Sequence, residues 1–223
     1  RDVAVTGLQT CALPIYLLTG HEVGHALFTP ARGWHDAVDE YDGAPKAYLN
    51  VLEDVRIERK VQDLYPGLRH QFQKGYKTLA DEDFFGLNNL TRPMSDMLLI
   101  DRINLKTKIG SFIEVEFKDE ELPFLNAAYR TETFEDVVRL AKKIYAYQRK
   151  VLEEAKKKAA QQVYLQYNLA HVKADAAKGQ GEYIEGLAGL FGCQSQLTGS
   201  YSEFAKVSQS QHNAIFTSDD ANV

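Results

Sequence analysis

His21, Glu22 and His25 stand in the order His-Glu-Val-Gly-His, an HExxH motif. Residues four apart on a helix share one face, about 5–6 Å from each other. Two imidazoles so placed can both reach one Zn²⁺ at about 2.0–2.1 Å. Glu22 is rotated about 100° around the helix from His21, so it can meet a metal-bound water without ligating the metal. Zinc lowers the pKa of such a water toward about 7. The glutamate then takes the proton as the water attacks a carbonyl, and returns it to the leaving amine. With 6 His and 16 Glu in 223 residues, chance would produce the motif in roughly one such chain in a hundred.

Sites of this class need a third protein ligand and leave the fourth position to water. The metzincin continuation puts Gly at 28 and His at 31; the chain has Phe28 and Ala31. The gluzincin alternative takes a carboxylate from a following helix. Residues 49–60 (LNVLEDVRIERK) supply Glu53, Asp54 and Glu58 as candidates. Glu53 shares a face with Leu49 and Ile57. An acid among apolar neighbours points inward, where an unpaired charge is costly unless it meets a metal or a cation. Glu53 is therefore the expected ligand. Asp54 is expected to orient a ligand histidine, and Arg56 with Glu58 to form an ion-pair network.

The elements that must position these groups are helices. Residues Tyr16–Phe28 read as one, stopped by Pro30, and a second runs from Pro45 to about Tyr65, where Pro66–Gly67 ends it. Leu68–Leu79 and Met94–Lys108 follow, the latter with Gly110 as its C-terminal cap. Thr133 and Asp136 fit a capping box opening a helix that reaches about residue 160. Glu153–Lys157 and Glu154–Lys158 pair along its wet side. Phe112–Phe117 (FIEVEF) alternates like a strand, although a lone strand needs a partner. The fold expected is mainly α: a multi-helix, zincin-like domain with little or no sheet. Phe84 and Phe85 are assigned to the core. Asp36, Asp39, Glu40 and Asp42 crowd a loop that also carries Trp34 and His35. That loop reads as solvated surface, as do the lysines 156–158; His70, His171 and His212 have no companions at ligand spacing.

The net charge of −5 gives no general footprint for nucleic acid. Apolar runs are too short to span a bilayer. Cys11 and Cys193 cannot build a disulfide scaffold, which points to a reducing, cytoplasmic setting. Residues 1–15 (RDVAVTGLQTCALPI) resemble translated sequencing-adaptor DNA, so the chain is expected to be a fragment with native sequence from about Tyr16. Residues 16–160 are expected to form the helical metal-binding domain. Residues 161–223 hold only three Lys+Arg and six Asp+Glu. A domain boundary, a frayed tail or a join between unrelated sequences each accounts for that shift. The run AAKGQGEYIEGLAGLFGC resembles the C-terminal part of small exported bacterial proteins of unknown function.

HEVGHALFT followed by YLNVLEDVRIERKV resembles the metallopeptidase-like domain that precedes von Willebrand A domains in phage and bacterial proteins. That group is similar to a cobaltochelatase subunit, and DEDFFGL and LIDRINLKTKIG fit it as well. The resemblance covers residues 16–160. It implies zinc on His21 and His25, catalysis by Glu22, a third ligand from the Glu53 helix, and a peptide or protein substrate. The small sheet that carries substrate in gluzincins, expected upstream of HExxH, is missing or replaced here. The DxSxS signature of the partner domain is absent downstream. A non-hydrolytic module, working with a von Willebrand A domain or an AAA-type ATPase partner around a structural or vestigial zinc, is the alternative.

Overall fold

The computed structural model describes residues 3–31, 44–193 and 200–217, with side chains from residue 15 onward, Ser200 aside. The chain is mainly α, and the described residues contain no strand. It divides into two compact units, 1–148 and 149–223.

In the first unit, α1 (Val3–Phe28), α2 (Lys46–Leu64), α3 (Leu68–Asp81), α4 (Leu99–Ile109) and α5 (Leu122–Ala128) precede the first part of α6 (Phe134–Lys178). Helix α1 starts at Val3, well ahead of the expected Tyr16. The expected Met94–Lys108 helix is broken: a single 3-10 turn at Met94–Asp96 gives way to extended backbone at Met97 and Leu98 before α4 begins.

Helix α2 is the centre of this unit and contributes to two apolar clusters. Tyr48, Leu49, Leu52 and Val55 pack with Leu99, Ile100 and Ile103 of α4, Leu125 of α5 and Val137, Ala141 and Ile144 of α6. Further along, Val61 meets Leu17 of α1, Phe72 and Tyr76 of α3 and Leu105 and Ile109 of α4. Each fully buried Leu or Ile contributes about 1.5–3 kcal/mol by leaving water. Between the two clusters, α2 carries buried Glu53, Arg56 and Glu58.

Helix α1 lies close to its neighbours through two glycines. A Cβ on Gly24 would stand 2.8 Å from Cδ1 of Ile57 on α2, and one on Gly20 2.7 Å from the Phe72 ring on α3. Gly24 lies inside the HExxH motif, so this close approach brings the flanking histidines against α2.

Residues 112–117 correct the strand expectation. Val115 is buried and Ile113 and Phe117 pack against the core, while Glu114 and Glu116 face water. The alternation is real, but no neighbouring strand is present among the described residues to form a ladder with it. Arg102 instead anchors this segment, donating to the Glu116 carbonyl at 2.9 Å and pairing with Glu121. Phe84 is also a correction: it is 70% exposed and only rests its ring against Phe85.

The capping box at the start of α6 is present. The Asp136 N–H donates to Thr133 Oγ1 at 3.1 Å, and the Thr133 N–H to Asp136 Oδ2 at 3.0 Å. The Thr133 N–H and the Glu132 N–H, both donating to Oδ2, hold the Asp136 carboxyl down to about 2. The helix runs 18 residues past the expected 160. On its surface Glu153 pairs with Lys156 and Glu154 with Lys150, instead of with Lys157 and Lys158.

The second unit contains the rest of α6, then α7 (Glu182–Leu190), α8 (Ser200–Ser210) and α9 (His212–Ile215). Val172, Ala176, Ile184 and Leu187 form its core. Gly181, at φ 142°, lies so close to the Asp175 carboxylate that a Cβ would overlap it. Asp175 accepts from the Tyr183 N–H there and so caps α7.

Candidate metal centre

His21 and His25 lie one turn apart on α1, with ring centroids 4.7 Å apart and planes nearly perpendicular. Both present Nε2 to the same atom, Oδ1 of Asp54 on α2, at 3.7 Å from His21 and 3.3 Å from His25. One donor atom from each of the three residues lies within 4.8 Å of the others. Ligands around a tetrahedral zinc at about 2.0–2.1 Å stand about 3.3–3.4 Å from one another. The spacing and the two-nitrogen, one-oxygen donor set thus fit such an ion.

Each ring is held by its other nitrogen. His21 Nδ1 bonds Glu58 Oε1 at 2.9 Å, and His25 Nδ1 bonds Thr29 Oγ1 at 3.0 Å. Metal-ligating histidines characteristically have this outer hydrogen bond, which leaves the inward nitrogen free. Tyr76 on α3 also donates to Glu58 Oε1. Burial, then the Glu58 charge and hydrogen bond, push the Tyr76 hydroxyl far above its usual value.

The third position corrects the sequence expectation. The structure does not bring Glu53 to the histidines. Glu53 is fully buried, and Arg56 grips both its oxygens, Nε to Oε2 at 2.8 Å and Nη2 to Oε1 at 2.6 Å. Asp54 stands where Glu53 was expected, and Glu53 reaches His25 only through Thr29, which donates to Glu53 Oε1 at 2.6 Å. Glu58 holds His21 instead of pairing with Arg56. Sequence reading missed Thr29 and Lys108. Thr29 follows His25 by four residues, a spacing that could have flagged it. Lys108 comes from α4 and carried no local signal.

Electrostatics follow from these contacts. Burial opposes a charge on His21, but the Glu58 hydrogen bond and the Asp54 and Glu58 charges outweigh it and raise its pKa. Burial likewise opposes the Asp54 charge, yet the His25 hydrogen bond and Lys108 hold its carboxyl below the usual value. The His21, His25 and Asp54 side chains keep 19%, 27% and 18% of their exposure, so the centre is open to water on one side. Glu22 is exposed next to it in sequence.

Asp36, Asp39, Glu40, Asp42, Trp34 and His35 lie outside the described residues. His70 is exposed, His171 stacks on Tyr183, and His212 Nε2 bonds the Lys173 carbonyl at 3.1 Å. Among the described residues, His21, His25 and Asp54 are the only grouping of this kind.

Residues 152–223 match a family described as a protein of unknown function (DUF3015). That description carries no activity. No curated protein and no solved structure matches the chain. The match begins a few residues into the second structural unit and ahead of residue 161, where the composition changes. No helix among the described residues is long and apolar enough to cross a membrane.

Proposed function

We propose that the first unit binds one Zn²⁺ through His21, His25 and Asp54 and hydrolyses peptide bonds, with Glu22 as general base. The observation that carries this reading is the convergence of two imidazole Nε2 atoms and one carboxylate oxygen on a single point, with both Nδ1 atoms already engaged. Three acceptor atoms facing one another repel unless a cation or a proton sits among them. Zinc would supply Lewis acidity, lowering the pKa of water toward about 7 and polarising a carbonyl. The chain's own part is to hold that geometry. Glu58 and Thr29 fix the ring planes, Lys108 holds Asp54 from behind, and Glu22 takes and returns the proton of the attacking water at its carboxylate. A peptide or protein substrate is the class this chemistry serves.

Two observations favour the non-hydrolytic alternative. No strand among the described residues accompanies α1 to align an extended peptide, and Lys108 partly neutralises Asp54. In that version the zinc is structural and the unit serves a von Willebrand A-domain or AAA-type ATPase partner. The two cysteines fit a cytoplasmic setting for either version.

Metal analysis of the purified chain, with peptidase assays of wild type and Glu22→Gln, tests both readings. The hydrolytic reading expects one zinc per chain in both proteins and cleavage only by the wild type. Zinc without any cleavage favours the module. Absence of zinc in metal-replete buffer ends both.

A further inference from the structure

We infer that the cleft between α5 and the start of α6 binds a small molecule that carries an oxyanion group, phosphate or carboxylate, on an apolar body. Neither the metal centre nor its proposed activity enters this inference.

The cleft has a volume of about 590 Å³, within the range of small-molecule pockets. Arg130 follows the end of α5, and Arg139 and Lys143 stand one turn apart on α6. In a chain of net charge −5, three cations thus line one cavity. Like charges one turn apart weaken a helix, and no acid on the α5 wall offsets the repulsion of Arg139 and Lys143. Asp136 is the one acid lining the cleft, and its oxygens are engaged. Oδ2 accepts from the Glu132 and Thr133 N–H groups, and Oδ1 from Arg139. Arg139 spends one of its five N–H groups there. The side chains of Asn126, Arg130 and Lys143 have no partner among the described residues. The walls therefore offer two guanidinium forks, an ammonium and an amide, all donors without an acceptor. Guanidinium forks match the paired oxygens of phosphate and carboxylate.

The floor is of the opposite character. Leu140 is buried and Ala127 half-buried. A bare ion would use the rim alone, whereas an apolar body beside the oxyanion would also cover this floor. The walls are held apart before any ligand arrives. Thr131 and Glu132 join them, and both are tied to α2: Arg59 donates to the Thr131 carbonyl, and Arg56 to the Glu132 carbonyl at 3.2 Å. Thr131 is itself buried, and its hydroxyl donates to the Ala128 carbonyl at 2.9 Å. A cleft fixed in this way loses little freedom on binding.

The test is an NMR titration of the full chain with phenyl phosphate, phthalate and inorganic phosphate. Phenyl phosphate or phthalate should saturate with a Kd below about 1 mM, shifting amides within residues 126–143. The tighter of the two identifies the oxyanion. Inorganic phosphate, without an apolar body, should bind about tenfold more weakly or worse. Arg130→Gln and Lys143→Gln should each weaken the tighter probe about tenfold, and Arg130→Lys by less. Both side chains are exposed, so the variants should fold like wild type. Failure of both aromatic probes to saturate by about 10 mM overturns the inference. Unchanged affinity in Arg130→Gln and Lys143→Gln overturns it as well. Inorganic phosphate binding as tightly as the aromatic probes overturns it too, since the cleft would then be only a charged surface.

Discussion

Lys108 Nζ stands 2.8 Å from Asp54 Oδ2, while the other oxygen of that carboxylate faces both imidazoles. The lysine comes from α4, 54 residues away in sequence, and also approaches Glu58 at 3.8 Å and the Tyr76 ring at 5.7 Å. It ties the two acids of the centre to one cation and leaves Asp54 a single oxygen to offer.

Adjacent residues on α2 should therefore respond differently to substitution. On the proposed zinc reading, Asp54→Ala is expected to lower zinc affinity about 100-fold or more while the fold survives, since it would remove a ligand at a partly open position. Glu53→Gln is expected to act on stability, by about 3–5 kcal/mol, because it leaves the Arg56 guanidinium buried without its counter-charge. Zinc titration and denaturant unfolding of the two variants separate these outcomes. Zinc loss from Glu53→Gln with unchanged unfolding would restore Glu53 as the ligand.

Acid should weaken zinc binding from above the ordinary imidazole value of 6.5, because the His21 pKa is raised and protons compete for Nε2. The metal-free protein should show the opposite trend. A raised folded-state pKa gives stability that is fully present below the unfolded value and is lost as pH rises through the folded value. Zinc affinity and apo-protein melting temperature, followed across this range, should run in opposite directions. Parallel curves would contradict the assignment.

Gly24 sets the distance between α1 and α2. Alanine has about 1 kcal/mol better helix propensity than glycine, but its Cβ would press on Ile57 Cδ1 at 2.8 Å and approach the Ile57 carbonyl at 3.3 Å. Valine adds bulk to the same contact. Gly24→Val should cost about 2–3 kcal/mol and weaken zinc binding as well, since His21 and His25 move with the helix. Unfolding and metal titration read the two effects, and a variant as stable as wild type would refute this packing.

Arg102 and Glu121 form a second buried pair among the described residues, with bonds of 2.8 and 2.6 Å. Burial raises the Glu121 carboxyl, but the Arg102 hydrogen bonds and the Lys118 N–H outweigh it and hold it below its usual value of 4.5. A depressed folded-state pKa gives stability that is present above the unfolded value and lost as pH falls through the folded one. Glu121→Gln should remove that acid-dependent part and cost about 3–5 kcal/mol at neutral pH. Denaturant unfolding at neutral and acid pH checks both, and an unchanged acid response would show that the pair contributes little.

Local chemistry was legible without a structure wherever it depended on neighbours along one helix. The HExxH spacing placed His21 and His25 on one face, Thr133 and Asp136 announced their capping box, and Pro66–Gly67 marked the end of α2. The alternation of Ile113, Val115 and Phe117 correctly told the inner side from the outer. It could not tell extended coil from strand, because that depends on a partner elsewhere in the chain. The acid facing the histidines was likewise undecided. Glu53 and Asp54 are about 100° apart around α2, and both stood among the candidate acids of that helix. Glu53 did turn inward, as an acid among apolar residues should, but the cation that met it was Arg56. Which flank of α2 faced α1 was set by the fit of Gly24 against Ile57 and by a lysine from α4. Those contacts join residues far apart in sequence, so only packing in three dimensions could choose Asp54.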